Sequence, residues 1–168
     1  MDELELKTHL EENHSKSFVW AMSCCSQDPL EAEDTLQTVY LKILEGRAKY
    51  KGKSAFKTWL FAVIRNTAVD LQRRKRVRQL GLISYEETIV DEHSVEKNEP
   101  SQTLVHFEKA LGELPQRQQQ ILELVFYHDV TLEQAAEVMG ISVGSVRTHY
   151  HRGKKRIRHL MGKSETLE

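Results

Sequence analysis

A chain of 168 residues, 39% hydrophobic and 29% charged with a net charge of −1, has the make-up of one ordinary globular domain or two small ones. No apolar run approaches the ~20 residues of a membrane span, and the acidic start MDELELK is no secretory signal, so a cytoplasmic protein without direct membrane insertion is expected. Cys24 and Cys25 make no disulfide framework; they read as ordinary reduced thiols, the other reading being a vicinal redox or metal site.

The near-zero net charge conceals a pattern, with −5 over residues 1–50, +8 over 51–80, −6 over 81–114 and +2 over 115–168. Between Ile141 and Lys163 there are seven Lys/Arg and no acid. Two cationic blocks, each attached to a helical pattern, point to local contacts with a polyanion rather than to general adhesion.

Few prolines and glycines, with no alternating polar and apolar runs, predict an all-α chain. Residues 3–26 carry Leu6, Leu10, Phe18, Ala21, Met22 and Cys25 at helical spacing. Asp28-Pro29 then reads as N-cap and first helical residue, with Glu31 at the reciprocal capping position. Leu36, Val39, Tyr40, Ile43 and Leu44 form the buried face of that helix, and Gly46 ends it. Glu33, Asp34, Gln37 and Leu41 lie on its other side.

A basic loop with one aromatic, RAKYKGKS, leads into FKTWLFAVIRNTAVDLQRRKRVR. Phe56, Leu60, Val63, Ile64, Ala68 and Leu71 share one face of this helix and should build a core, and Trp59 is expected to pack there too. Asn66, Asp70, Arg73 and Arg74 fall on another face, and Asp70 is placed to orient neighbouring arginines. Tyr50, Lys51 and Lys53 set an aromatic among cations, a combination that stacks an unpaired base beside its backbone; Tyr50 could equally be a loop anchor.

Residues 81–102 are acidic and thinly apolar and read as a flexible linker between two small helical domains, residues 1–80 and 103–168. Beyond it, Leu104, Phe107, Ala110, Leu111 and Leu114 make one helix, and Pro115 starts another with Ile121, Leu122, Leu124, Val125 and Phe126. Thr131 with Gln134 is a capping box, and the spacing Ala136-x3-Gly140-x5-Val146 suits a helix-turn-helix. A small residue lets the two helices approach, Gly140 permits the left-handed turn, and Val146 packs the second helix on the first. Ser142 can cap that second helix, whose inward positions are Val143, Val146, Tyr150 and Ile157. Ser145, Arg147, Thr148, His149, His151, Arg152 and Lys155 would then face outward, as residue types suited to base edges and phosphates in a major groove.

In combination, EAEDTLQTVYLKIL, YKGKSAFKTWLFAVIRNTAVDLQRRKR and LGELPQRQQQILELVFYHDVTLEQAAEVMGISVGSVRTHYHRGKKRI resemble the minimal two-domain sigma factors of the extracytoplasmic-function group of bacteria, over roughly residues 10–160. The resemblance implies that Asp34, Gln37 and Leu41 dock on RNA polymerase core, with Thr35 and Thr38 standing where the family more often has an aliphatic and an acid. It implies that Tyr50, Lys51 and Lys53 capture a flipped base of the −10 element and that Asn66, Asp70, Arg73 and Arg74 read and open that duplex. Ala62 stands where a basic residue is frequent. It further implies that Ser142, Ser145, Arg147, Thr148, His149, His151, Arg152 and Lys155 read the −35 element, and that an anti-sigma factor clamps both domains.

The rival reading is a stand-alone transcriptional regulator, with a sensor or dimerisation domain ahead of the helix-turn-helix. A sensor has no need of a second cationic helix, which argues against it. An enzyme is not expected: there is no phosphate loop, nucleophile elbow, HExxH or spaced Cys/His ligand set, hence no cofactor or metal, and His149 and His151 cannot share one helical face.

Overall fold

The computed structural model describes residues 1–81 and 101–165, with side chains to Gly162. All regular structure among them is helical: α1 (Glu3–Glu12), α2 (His14–Cys24), α3 (Pro29–Leu44), α4 (Phe56–Gly81), α5 (Gln102–Gly112), α6 (Gln116–His128), α7 (Leu132–Met139) and α8 (Val143–Glu165). Most of the acidic linker lies outside the described residues.

The periodic stretch 3–26 forms two helices, broken at Asn13, whose side-chain amide donates back to the His9 carbonyl at 2.8 Å. Such local side-chain bonding is the reason Asn favours helix ends. Asp28 caps α3 as expected, accepting from the Leu30 and Glu31 amides. Glu31 does not complete a reciprocal box; its carboxylate accepts from Lys75 Nζ on α4 at 2.5 Å, tying two helices together. Gly46 and Gly140 adopt the left-handed conformation their turns require, at φ 74° and 65°. The Thr131–Gln134 box is formed in both directions, and Ser142 Oγ accepts from the Ser145 amide.

In the first half, α2, α3 and α4 pack on one another. Trp20, Leu60, Phe61, Ile64, Val39 and Leu36 form their buried centre, and Trp20 Nε1 donates to the Phe61 carbonyl at 3.0 Å. In the second half, α8 runs along α5, α6 and α7. The halves are not held apart. Helix α7 lies on α4 and α6 touches α2, so Ile121, Leu124, Val130, Ala135, Val138 and Met139 join the same apolar cluster as Trp20 and Phe61.

Candidate nucleic-acid interface

Helix α8 buries Val146 and Ile157 completely or nearly so, and Tyr150 partly. That fixes which residues point outward: Ser142, Ser145, Arg147, Thr148, His151, Arg152 and Lys155 are exposed, as read from the sequence. His149 differs from its expected outward position. It is half-buried and its Nδ1 is covered, because it falls toward the side of α8 that packs on the rest of the domain. Arg147 leans over α7, its Nη2 3.5 Å from Glu133 Oε1, a long and exposed contact that a phosphate or a guanine edge can displace. Thr148 donates to the Gly144 carbonyl and keeps its lone pairs for a donor on a base. Arg156 and Arg158 are exposed on the same helix and enlarge the cationic surface beyond the residues singled out from the sequence.

The second cationic surface is on α4 and the loop before it. Asn66, Arg73 and Arg74 are exposed, and Asp70 accepts from Arg73 Nη2 at 3.1 Å, which holds that guanidinium at one angle. Lys51 and Lys53 are exposed on the loop. Tyr50 is half-buried and anchors the loop: its hydroxyl donates to the Ser54 carbonyl at 2.6 Å, and its ring lies 5.3 Å from Phe56 and 5.4 Å from Trp59. Phe56 in turn stacks on His9 at 5.0 Å. The result is an aromatic platform flanked by lysines.

On α3, Asp34, Gln37 and Leu41 are exposed. They share a strip with Leu30 and Leu44, 69% and 51% exposed; Leu44, expected on the buried face, instead lies on this outer side. A groove of about 520 Å³ between α3 and α4 is lined by Asp34, Gln37 and Leu41 from one helix and by Lys75 and Arg78 from the other. Cys25 lies at its floor and Cys24 deeper still; burial pushes both thiols up, and Cys25 Sγ is 3.4 Å from Thr35 Oγ1. Neither thiol has the exposed, electropositive setting of a reactive cysteine.

Residues 11–78 match the Sigma-70 region 2 family and residues 105–157 match Sigma-70, region 4. The RNA polymerase sigma factor YlaC of Bacillus subtilis is 29% identical over 143 residues, covering 82% of this chain and 81% of that protein. The ECF RNA polymerase sigma factor SigX of the same organism is 28% identical over 141 residues, covering 80% and 73%. The chain belongs to the sigma-70 family, in its extracytoplasmic-function group. Among solved structures, the sigma factor RpoE in complex with the anti-sigma factor NepR from Bartonella quintana superposes with a TM-score of 0.71 at 25% identity, covering 94% of this chain and 97% of that one. CnrH in complex with the cytosolic domain of CnrY shares the fold, with a TM-score of 0.65 at 17% identity.

As a sigma factor the protein binds RNA polymerase core and directs it to promoters, a role in transcription initiation. The stand-alone regulator is not favoured, because region 2 occupies the half that a sensor would need. Among the described residues, no helix is long and apolar enough to cross a membrane.

Proposed function

We propose that the sigma factor divides its work among three surfaces on two domains, residues 1–80 and 103–168, joined by residues 81–102. Asp34, Gln37 and Leu41 on α3 dock on polymerase core, the exposed leucine strip supplying apolar contact and the two polar side chains its register. Asn66, Asp70, Arg73 and Arg74 engage the −10 duplex while Tyr50, Lys51 and Lys53 hold a displaced base and its phosphates. Ser142, Ser145, Arg147, Thr148, His151, Arg152 and Lys155 read the −35 element, and half-buried His149 supports their helix from below.

The observation that carries this reading is the pairing of two cationic surfaces of different build. One is a bare recognition helix suited to an intact groove; the other sets cations beside an aromatic platform suited to unpaired bases. Opening duplex costs about 1.4 kcal/mol per base-pair step, and a stacked base returns about 1–3 kcal/mol. So small a protein needs the polymerase to supply the rest.

The protein acts in the cytoplasm, where polymerase and promoter are, and an anti-sigma factor restrains it. Support for that partner comes from the RpoE relative, solved with NepR. Permanganate footprinting on a cognate promoter tests the −10 assignment. Reactive thymines near −10 are expected only when core and sigma factor are both present; none with both present would contradict it.

A further inference from the structure

The seam between the two halves is an unusual place for the groups found in it. His128, at the end of α6, is 97% buried with its ring edge-on to two aromatics of the other half, 4.9 Å from Phe61 and 6.2 Å from Trp20. Neither ring nitrogen has a hydrogen-bond partner among the described residues. Its backbone carbonyl accepts from Lys57 Nζ on α4 at 2.5 Å, a direct bond between the halves. The other charged groups facing it are Lys16 on α2 and Asp129 beside it, while Glu123 and Tyr127 of α6 and Glu108 of α5 line the same groove.

Cations predominate across this seam. Burial lowers Lys57, and Lys16 pushes it the same way. Farther along, Arg65 on α4 is half-buried with no partner at Nε among the described residues, and Arg117 on α6 adds like charge across the gap. Hydrophobic burial closes the halves against this repulsion and against polar atoms left unpaired.

The closed arrangement also sets a limit on function, on the reading that the halves take separate promoter elements. A compact chain of this length is roughly 40 Å across. Elements about 25 base pairs apart lie roughly 85 Å apart along B-form duplex. The closed body therefore cannot reach both, and the halves must separate before the promoter is read.

We propose that the packing of α6 and α7 on α2 and α4 is a self-restrained state latched by neutral His128, and that a proton on this imidazole releases it. A charged ring would be buried away from water beside Lys57 and Lys16, with Asp129 in partial compensation. Water would receive it on opening.

Burial first, then Lys57 and Lys16, lower the His128 pKa from 6.5 to about 4 in the closed form. The sign follows: the latch is at full strength above about 6.5 and is lost as the pH falls from there toward 4. Through His128 alone, the closed-to-open ratio drops about thirtyfold between pH 7.5 and 5. Glu123 acts in the opposite sense, since burial raises its carboxyl and acid favours its buried form, so the His128 contribution must be isolated by substitution.

Hydrogen–deuterium exchange of the full chain, corrected for intrinsic rates, measures the opening at α2, α6 and α7. Measured against His128→Phe and His128→Gln, protection there should fall about thirtyfold from pH 7.5 to 5 in the wild type. In His128→Phe, and in the polar neutral variant His128→Gln, the drop should vanish. Small-angle scattering of His128→Lys at pH 7.5 should give a radius of gyration clearly above the roughly 15 Å expected of the compact wild type, with helix content unchanged by circular dichroism. The same pH dependence of protection in the wild type, His128→Phe and His128→Gln would overturn the latch. Neither readout involves DNA or polymerase, so the result stands apart from the promoter assignments.

Discussion

Gly153 on α8 lies so close to Leu122 on α6 that a Cβ added to it would stand 2.9 Å from Leu122 Cδ1. Leu122 is fully buried, so it has little room to retreat. This contact sets how near the recognition helix lies to its support. Gly153→Val should destabilise the protein by about 1–3 kcal/mol through overpacking. Gly153→Ala should cost less, because a helix-interior alanine gains about 1 kcal/mol over glycine. Urea denaturation of both variants measures the difference; an unchanged midpoint in Gly153→Val would refute the close approach.

Arg147 and Arg152 are the exposed guanidiniums nearest the start of the recognition helix. Replacing both with alanine should weaken −35 recognition, by about 1–3 kcal/mol for each that contacts a base bidentately, and leave core binding intact. Fluorescence anisotropy with promoter duplexes over a salt series separates the roles. An arginine on phosphate lowers the salt slope by about 1, whereas one on a base relaxes specificity at that position. Transcription equal to wild type from a cognate promoter would contradict the assignment.

Asp34 and Gln37 are exposed beside the α3 leucines and far from the buried face that Leu36, Val39 and Ile43 make. Asp34→Ala with Gln37→Ala should therefore reduce affinity for polymerase core while changing stability by no more than about 0.5 kcal/mol. Surface binding to immobilised core together with a thermal melt checks both halves of this statement.

Tyr50 carries two separable functions. Tyr50→Phe removes only the bond to the Ser54 carbonyl and should cost about 0.5–1.5 kcal/mol of stability. Tyr50→Ala also removes the ring beside Phe56 and Trp59, and should weaken capture of single-stranded −10 DNA by the polymerase complex by a further 1–3 kcal/mol or so. Equal capture by Tyr50→Phe and Tyr50→Ala would mean that the ring stacks on no base.

Much of this was legible because local signals agreed. Asp28 before Pro29, Thr131 with Gln134, and glycines at 46 and 140 mark helix ends through bonds and backbone angles made within a few residues. The outward residues of α8 follow from the inward positions of Val146 and Ile157 once the helix is granted. What stayed hidden depends on chain segments meeting in space. Ala136 reads as the close-approach position of a helix-turn-helix, and its spacing cannot say that α7 also covers α4. Glu31 looked like a local cap and instead reaches Lys75, forty-four residues on. His128 carried no signal of its own. Gly153 carried one, since an isolated glycine inside a helical pattern commonly has a packing reason.

The most direct test is run-off transcription on fragmented genomic DNA of the source organism, using purified core polymerase with and without this protein. Discrete new transcripts sharing two upstream elements are expected, and they should disappear when Arg147 and Arg152 are both replaced by alanine. No new transcripts, with tight polymerase-independent binding of a dimer to a palindrome, would contradict the account.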